Sequence, residues 1–334
     1  MNHAPRHRKT KRWLKAATVA CCLTIVVGVS ILAMPGLDGG PASRLAVGKG
    51  PDNAGAPASR QASTPTSTAS PSPADATGFT ETTQTATIAG LPRTYVTFLP
   101  VHPAAARIPA LVVVHGLGVT PDQEADRDGL IPLAFAGDAE LIYPAGFEQS
   151  WDGGSCCGPA QTANVDDMSF VAMLLRQVQS DPALSGDYLI GYSNGGKVAF
   201  RVGCTDPTLM TGLISVHAVP GTACQPGPPV SLLQVASTKD PRVTYDATTQ
   251  AHVVGGFREA TVVAQVAAWR SHDACDSNRL TATTGELTAQ TWHCTAGTRV
   301  ELATYAGGDH TWPVGGNGTP SAAEVIWAFV TSGA

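Results

Sequence analysis

The stretch Asp187–Gly203, DYLIGYSNGGKVAFRVG, constrains the fold of this chain more than any other. Tyr188-Leu189-Ile190 is a short apolar run suited to a buried strand, and Val198 and Val202 beyond it fall at helical spacing. Between the two halves lies Gly191-Tyr192-Ser193-Asn194-Gly195-Gly196. A serine between glycines on a sharp strand-to-helix turn is how a nucleophilic hydroxyl is presented at the top of a sheet. The turn crowds the backbone, so the flanking positions must lack a Cβ. Five residues of pattern recur by chance, and the rest of the chain has to support them.

The chain has 334 residues, with 43% hydrophobic and 14% charged, a balance that suits a globular enzyme with a sizeable core. Net charge is −5, but Arg6, Arg8, Lys9, Lys11, Arg12 and Lys15 crowd the start, leaving the remainder more acidic than the whole. That distribution argues against a nucleic-acid partner. The basic segment 1–15 is followed by Ala16–Met34, uncharged and apolar. This segment approaches the roughly 20 residues of a membrane-spanning helix. It exceeds the roughly 7–15 residues of a cleavable apolar core. Pro35 interrupts the natural cleavage position, so a signal anchor is favoured over a cleaved signal peptide. Either puts the body outside the cytoplasm, at the cell membrane or secreted. Cys21 and Cys22 lie within this segment, but Thr18 stands where a lipoprotein signal requires leucine. Residues 35–78, rich in Pro, Ala, Ser, Thr and Gly, read as a disordered linker.

From residue 79 the texture is that of one folded domain. Thr82–Ile88 and Thr94–Leu99 flank a Gly-Leu-Pro turn and predict an antiparallel hairpin. Ala110–His115 is a continuous apolar run, as expected of a strand buried on both faces. Helices are expected within Glu124–Ala136 and over Asp166–Ser180, Phe257–Trp269 and Ser321–Val330. Further strands are expected at Glu140–Tyr143, Gly212–Ala218, Pro229–Ala236 and Val300–Tyr305, with a hairpin at Leu280–Cys294. Strands alternating with helices predict a mostly parallel central sheet covered on both faces, an α/β fold with an N-terminal antiparallel hairpin.

A serine hydroxyl needs a base to take its proton, and the base needs a carboxylate to orient it. In this topology the partners follow in the order Ser, Asp, His on loops after strands. Of His217, His252, His272, His293 and His310, only His310 occupies a glycine-rich loop between the last strand and the last helix. The other four read as structural or surface residues. Asp240 ends the loop after Pro229–Ala236 and precedes Pro241; Asp246 is its rival, and Asp309 is too near His310 in sequence to orient it. The backbone N–H groups of Asn194 and Leu117 are expected to form the oxyanion hole, with His115 shaping the loop. No cofactor or metal is expected. A zinc site is the other reading of the cysteines, but there is no C-x-x-C and no histidine pair at ligand spacing.

The ordered series Trp151–Ala160 (WDGGSCCGPA), Asp166–Phe170 (DDMSF), GYSNGG and Gly308–Pro313 (GDHTWP) resembles the poly(3-hydroxybutyrate) depolymerase and feruloyl/acetylxylan esterase family. The resemblance spans roughly residues 85–334. It implies the α/β-hydrolase fold over 79–334 and a serine carboxylester hydrolase with Ser193 as nucleophile, Asp240 as acid and His310 as base. The implied substrate is a feruloyl or acetyl ester of polysaccharide, or a hydroxyalkanoate ester, small or polymeric. Two loops depart from the family pattern: His115-Gly116-Leu117-Gly118 after the first core strand, and Ser237-Thr238-Lys239-Asp240 at the acid. A peptidase of the same fold and a non-catalytic, membrane-tethered binding protein are the competing readings.

Six cysteines lie beyond the N-terminal segment, an even number that in an exported domain favours disulfides. Cys275–Cys294 brackets the local hairpin, Cys204–Cys224 is the second expected pair, and Cys156 and Cys157 would then form a vicinal bridge or exchange with the others. Trp151 and Trp312 sit beside the motifs and are the candidate apolar walls of a substrate pocket. A monomer is expected.

Overall fold

The computed structural model describes residues 78–224, 227–246 and 252–333. The basic segment, the candidate span Ala16–Met34 and the linker up to residue 77 lie outside them. Among the described residues no helix is long and apolar enough to cross a membrane.

Strands β1 (Phe79–Ile88) and β2 (Leu91–Pro100) form the expected hairpin. Then come β3 (Ile108–Val114), helices α1 (Pro121–Asp128) and α2 (Ile131–Ala136), and β4 (Glu140–Pro144). A single turn, α3 (Pro159–Thr162), precedes α4 (Asp167–Ser180), β5 (Leu184–Tyr192) and α5 (Asn194–Thr205). Two further parallel strands, β6 (Gly212–Val216) and β7 (Ser231–Ser237), lead to a small ribbon of β8 (Val253–Val254) and β9 (Phe257–Arg258). The chain continues through α6 (Val262–His272), β10 (Leu280–Thr284), β11 (Leu287–His293), β12 (Arg299–Tyr305) and α7 (Ala322–Thr331).

The main sheet runs β1-β2-β4-β3-β5-β6-β7-β12-β11-β10. Pairing is parallel from β4 through β12 and antiparallel at both edges. That strand order, with helices on both faces, is the α/β-hydrolase fold. Side chains alternate across the sheet as the pleat requires. From β3 and β5, Val112, Val114 and Leu189 face one layer with Phe170 and Leu174 of α4 and Val198 and Phe200 of α5. Leu111, Val113 and Ile190 face the other with Ala134 of α2 and Ile326 and Phe329 of α7. Both layers are fully buried at these positions, and each such apolar side chain contributes about 1.5–3 kcal/mol.

Two expected helical stretches take their bounds for local reasons. The stretch Glu124–Ala136 is two helices, because Gly129 takes a left-handed φ of 74° as the cap of the first and Pro132 starts the second. The helix expected from Phe257 begins at Val262, where the Thr261 hydroxyl accepts from the Ala264 N–H, and Phe257 belongs instead to β9. All three expected disulfides form, at Cys156–Cys157, Cys204–Cys224 and Cys275–Cys294.

Candidate active site

Parallel strands all point their carboxyl ends the same way, so the loops after β3, β5, β6, β7 and β12 gather at one rim. Leu117, Ser193, His217, Asp240 and His310 come from those five loops in that order.

Ser193 sits between β5 and α5 at φ 52°, ψ −114°, a conformation that costs a side-chain-bearing residue on the order of 1–3 kcal/mol. Close packing holds it there. A Cβ on Gly195 would lie 2.2 Å from the Val114 carbonyl oxygen, and one on Gly191 would lie 2.5 Å from the Gly196 Cα. The Ser193 N–H donates to the Val216 carbonyl at 2.9 Å, tying the elbow to the end of β6. Asn194 locks it from the other side, where its Oδ1 accepts from the Trp151 N–H at 2.8 Å and its Nδ2 donates to the Trp151 carbonyl at 3.0 Å.

The Ser193 Oγ lies 2.8 Å from His310 Nε2, and His310 Nδ1 lies 2.8 Å from Asp240 Oδ2. The other Asp240 oxygen accepts from the backbone N–H groups of Arg242 and Val243 at 2.7 and 3.0 Å. Burial alone would raise the Asp240 carboxyl, but the bonds from His217, His310 and the Arg242 amide outweigh it and hold the group well below the usual carboxylate range. Asp309, beside His310, is committed elsewhere: its Oδ1 accepts from both the backbone and the hydroxyl of Thr311. The loop carrying His310 is pinned by the Tyr192 hydroxyl, which donates to the His310 carbonyl at 2.6 Å. The Tyr192 ring leans on the imidazole with centroids 5.8 Å apart and carries the Arg127 guanidinium 4.5 Å from its centre.

His217, read from the sequence as structural or surface, is completely buried, and its Nδ1 lies 2.7 Å from Asp240 Oδ2, the same oxygen that His310 uses. His217, Asp240 and His310 therefore bring side-chain nitrogens and a carboxylate oxygen within 4.8 Å of one another, near enough to surround a cation. Both Nδ1 atoms point at one carboxylate oxygen and the remaining His310 nitrogen points at Ser193, so an ionised Asp240 can orient His310 and stabilise its protonated form. Such a series can take a proton from a serine hydroxyl as it attacks.

A cavity of about 760 Å³ opens over Ser193, with Leu117, Val119, Val243 and Val254 among its apolar lining and the Cys156–Cys157 disulfide on its wall. Lys197 and Glu259 also line it. They form a buried ion pair, and Lys197 additionally donates to the Val219 carbonyl at 3.3 Å, so the segment after the β8–β9 ribbon is fastened to α5 beneath the cavity. Neither residue carries a sequence signature for that pairing. The two tryptophans lie elsewhere. Trp151 is fully buried beneath the elbow, its indole N–H donating to the His115 carbonyl at 3.0 Å, and it lines no part of this cavity. Trp312 packs edge-on against Tyr192 and lines a neighbouring cavity of about 570 Å³. His115 shapes its loop as expected, with Nδ1 on the Gly116 carbonyl and Nε2 accepting from the Gly146 N–H. Burial lowers it to about 4, well below an ordinary histidine.

The chain is similar to a protein described as "Putative esterase NocK" from Nocardia uniformis subsp. tsuyamanensis. The two are 25% identical over 260 residues, covering 71% of this chain and 75% of that one. No family model matches. Among solved structures, acetyl xylan esterase from Aspergillus awamori aligns at a TM-score of 0.49 and 11% identity over 72% of this chain and 94% of its own. Glucuronoyl esterase from Solibacter usitatus aligns at 0.49 and 14% over 76% and 82%. The fold assignment rests on the strand order; the resemblance to an esterase family of that fold is borne out by the curated relative.

Proposed function

We propose that this protein is a serine carboxylester hydrolase working through an acyl-enzyme. The continuous hydrogen-bonded series from Ser193 Oγ through His310 to Asp240 carries the reading. Ser193 attacks the ester carbonyl while His310 Nε2 takes its proton, and Asp240 stabilises the imidazolium that forms. The negative charge on the former carbonyl oxygen falls to the N–H groups of Asn194 and Leu117. In the Leu117 loop the flanking amides are already engaged, Gly116 with the Glu124 carboxylate and Gly118 with the Gln149 carbonyl, which leaves the amide of Leu117 to serve the cavity. His310 then returns its proton to the leaving alcohol, and water repeats the sequence to release the acid.

The cavity falls within the range of roughly 300–1,000 Å³ usual for small ligands, and its apolar side chains suit the acyl part of a feruloyl, acetyl or hydroxyalkanoate ester. Three disulfides support an oxidising, extracytoplasmic compartment, at the membrane or secreted. Hydrolysis of p-nitrophenyl acetate and butyrate by the full chain tests the reaction, and parallel assays on methyl ferulate, acetylated xylan and a hydroxybutyrate oligomer choose the acyl group. Ser193→Ala is expected to lower kcat on the order of 10⁴-fold or more. Turnover that survives this substitution rules the mechanism out.

A further inference from the structure

We infer that His217 is a positioning residue for the acid–base pair, holding Asp240 and setting how much of the carboxylate's charge reaches His310. The inference rests on the hydrolase reading above and extends it to a residue outside the Ser–His–Asp series.

Three observations converge on it. His217 follows β6 directly and is held at φ 52°, left-handed for a residue with a Cβ, while its N–H continues the ladder to the Val235 carbonyl at 2.9 Å. That backbone is costly for a non-glycine residue, and its effect is to swing the imidazole across the carboxyl end of β7 toward Asp240. The side chain has no solvent exposure, so its polar atoms depend on protein partners. Nδ1 meets Asp240 Oδ2 at 2.7 Å, and Nε2 is faced by the Ser237 hydroxyl at 3.4 Å, on the strand that ends in the Asp240 loop. Finally, the His217 and His310 rings meet edge to face with centroids 5.5 Å apart, both addressing one oxygen.

One carboxylate oxygen that accepts two N–H groups shares its electron density between them. Because an ionised acceptor strengthens each bond, His217 fixes the rotamer of Asp240, and it also draws off charge that would otherwise stabilise protonated His310. Its loss therefore has two consequences. Asp240 is less well placed, so kcat falls. The oxygen left to His310 alone also holds a proton on that imidazole more readily, so the acidic limb of kcat/KM moves to higher pH. The other charged and titratable groups described around the pair are Asp309 next to His310, Tyr192 against both rings, Arg127 stacked on Tyr192, and Arg242, His252 and the Lys197–Glu259 pair lining the same cavity. None of them bonds Asp240 Oδ2.

The test compares wild type, His217→Ala and His217→Asn in the full chain, by steady-state pH profiles and by proton NMR of the downfield imidazole N–H region. Asparagine can place an amide N–H close to the position of Nδ1. The alanine variant is expected to lose roughly 10- to 100-fold in kcat with KM little changed, and its acidic limb shifts upward. The asparagine variant recovers most of both. Wild type shows two downfield N–H signals, His217→Asn loses one, and Asp240→Asn displaces both. Wild-type kinetics in His217→Ala would overturn the inference. So would an equal loss in both variants with an unmoved acidic limb, which marks a packing role. Should His217→Ala not fold, His217→Asn decides through its rate, limb and lost signal. The NMR signals are read without turnover, so a wild type lacking Ser193-dependent esterase activity would refute the hydrolase reading and leave the His217–Asp240 bond separately measurable.

Discussion

The two halves of the candidate active site are built in opposite ways. The elbow half is contiguous: β5, Ser193 and α5 occupy one run of chain, and its strained turn is set by Gly195 packed on the end of β3 and Gly191 packed against Gly196. The acid–base half has no local identity. His217, Asp240 and His310 are brought together from the ends of three different strands, and only the register of β6, β7 and β12 makes them neighbours. In the first half the glycines that pack the turn also shape the site, so damage to those glycines should appear as lost stability. In the second the site is a set of side chains on a finished scaffold, so damage should appear as lost turnover.

The sharpest way to separate the halves is Asp240→Asn. The amide cannot orient His310 as the carboxylate does, and kcat is expected to fall roughly 10³- to 10⁴-fold, with stability reduced only by what the lost carboxylate bonds contribute. A large loss of stability with that variant would erase the distinction. On the other side, Gly195→Ala puts a methyl group against the Val114 carbonyl, where backbone must give way. It should cost about 3 kcal/mol or more in chemical denaturation. Unchanged stability there would mean that the elbow is not held by close packing.

A smaller effect probes the support beneath both halves. His115 lies under the Leu117 loop and is held neutral, at about 4 against an ordinary 6.5. A histidine depressed in the folded state contributes no pH dependence above 6.5, and stability is lost as pH falls from 6.5 toward 4, because the unfolded chain takes up the proton first. His115→Gln should cost about 1–2 kcal/mol at neutral pH through the weakened bond to the Gly146 N–H. Its acid slope should be flatter, so the two stabilities converge toward pH 4. Parallel curves would show that His115 does not carry that dependence.

The same contrast explains what the sequence disclosed. The elbow was legible because its constraint is local: glycines at 191 and 195 around a serine, after an apolar run. Asp240 and His310 were legible through chain order once the strands were placed. His217 was not, since nothing in Val216-His217-Ala218 announces a partner in another strand's loop. Trp151 was read as a pocket wall because it neighbours a motif, yet its loop folds inward and the indole becomes the floor of the elbow. Trp312 likewise serves Tyr192, and through it the His310 loop. Side-chain direction in a loop depends on long-range packing that pattern reading does not reach. The boundary signals at Gly129 and Thr261 are local ones, a left-handed cap glycine and a capping hydroxyl.

The central claim, that the strained Ser193 hydroxyl is an activated nucleophile, is tested most directly by reacting the folded full chain with a fluorophosphonate and locating the adduct by peptide mass spectrometry. One adduct per chain is expected, on Ser193, with esterase activity lost in proportion to labelling and no labelling after Asp240→Asn at the same exposure. A folded protein that hydrolyses esters but leaves Ser193 unlabelled, or is labelled only at another serine, would contradict it.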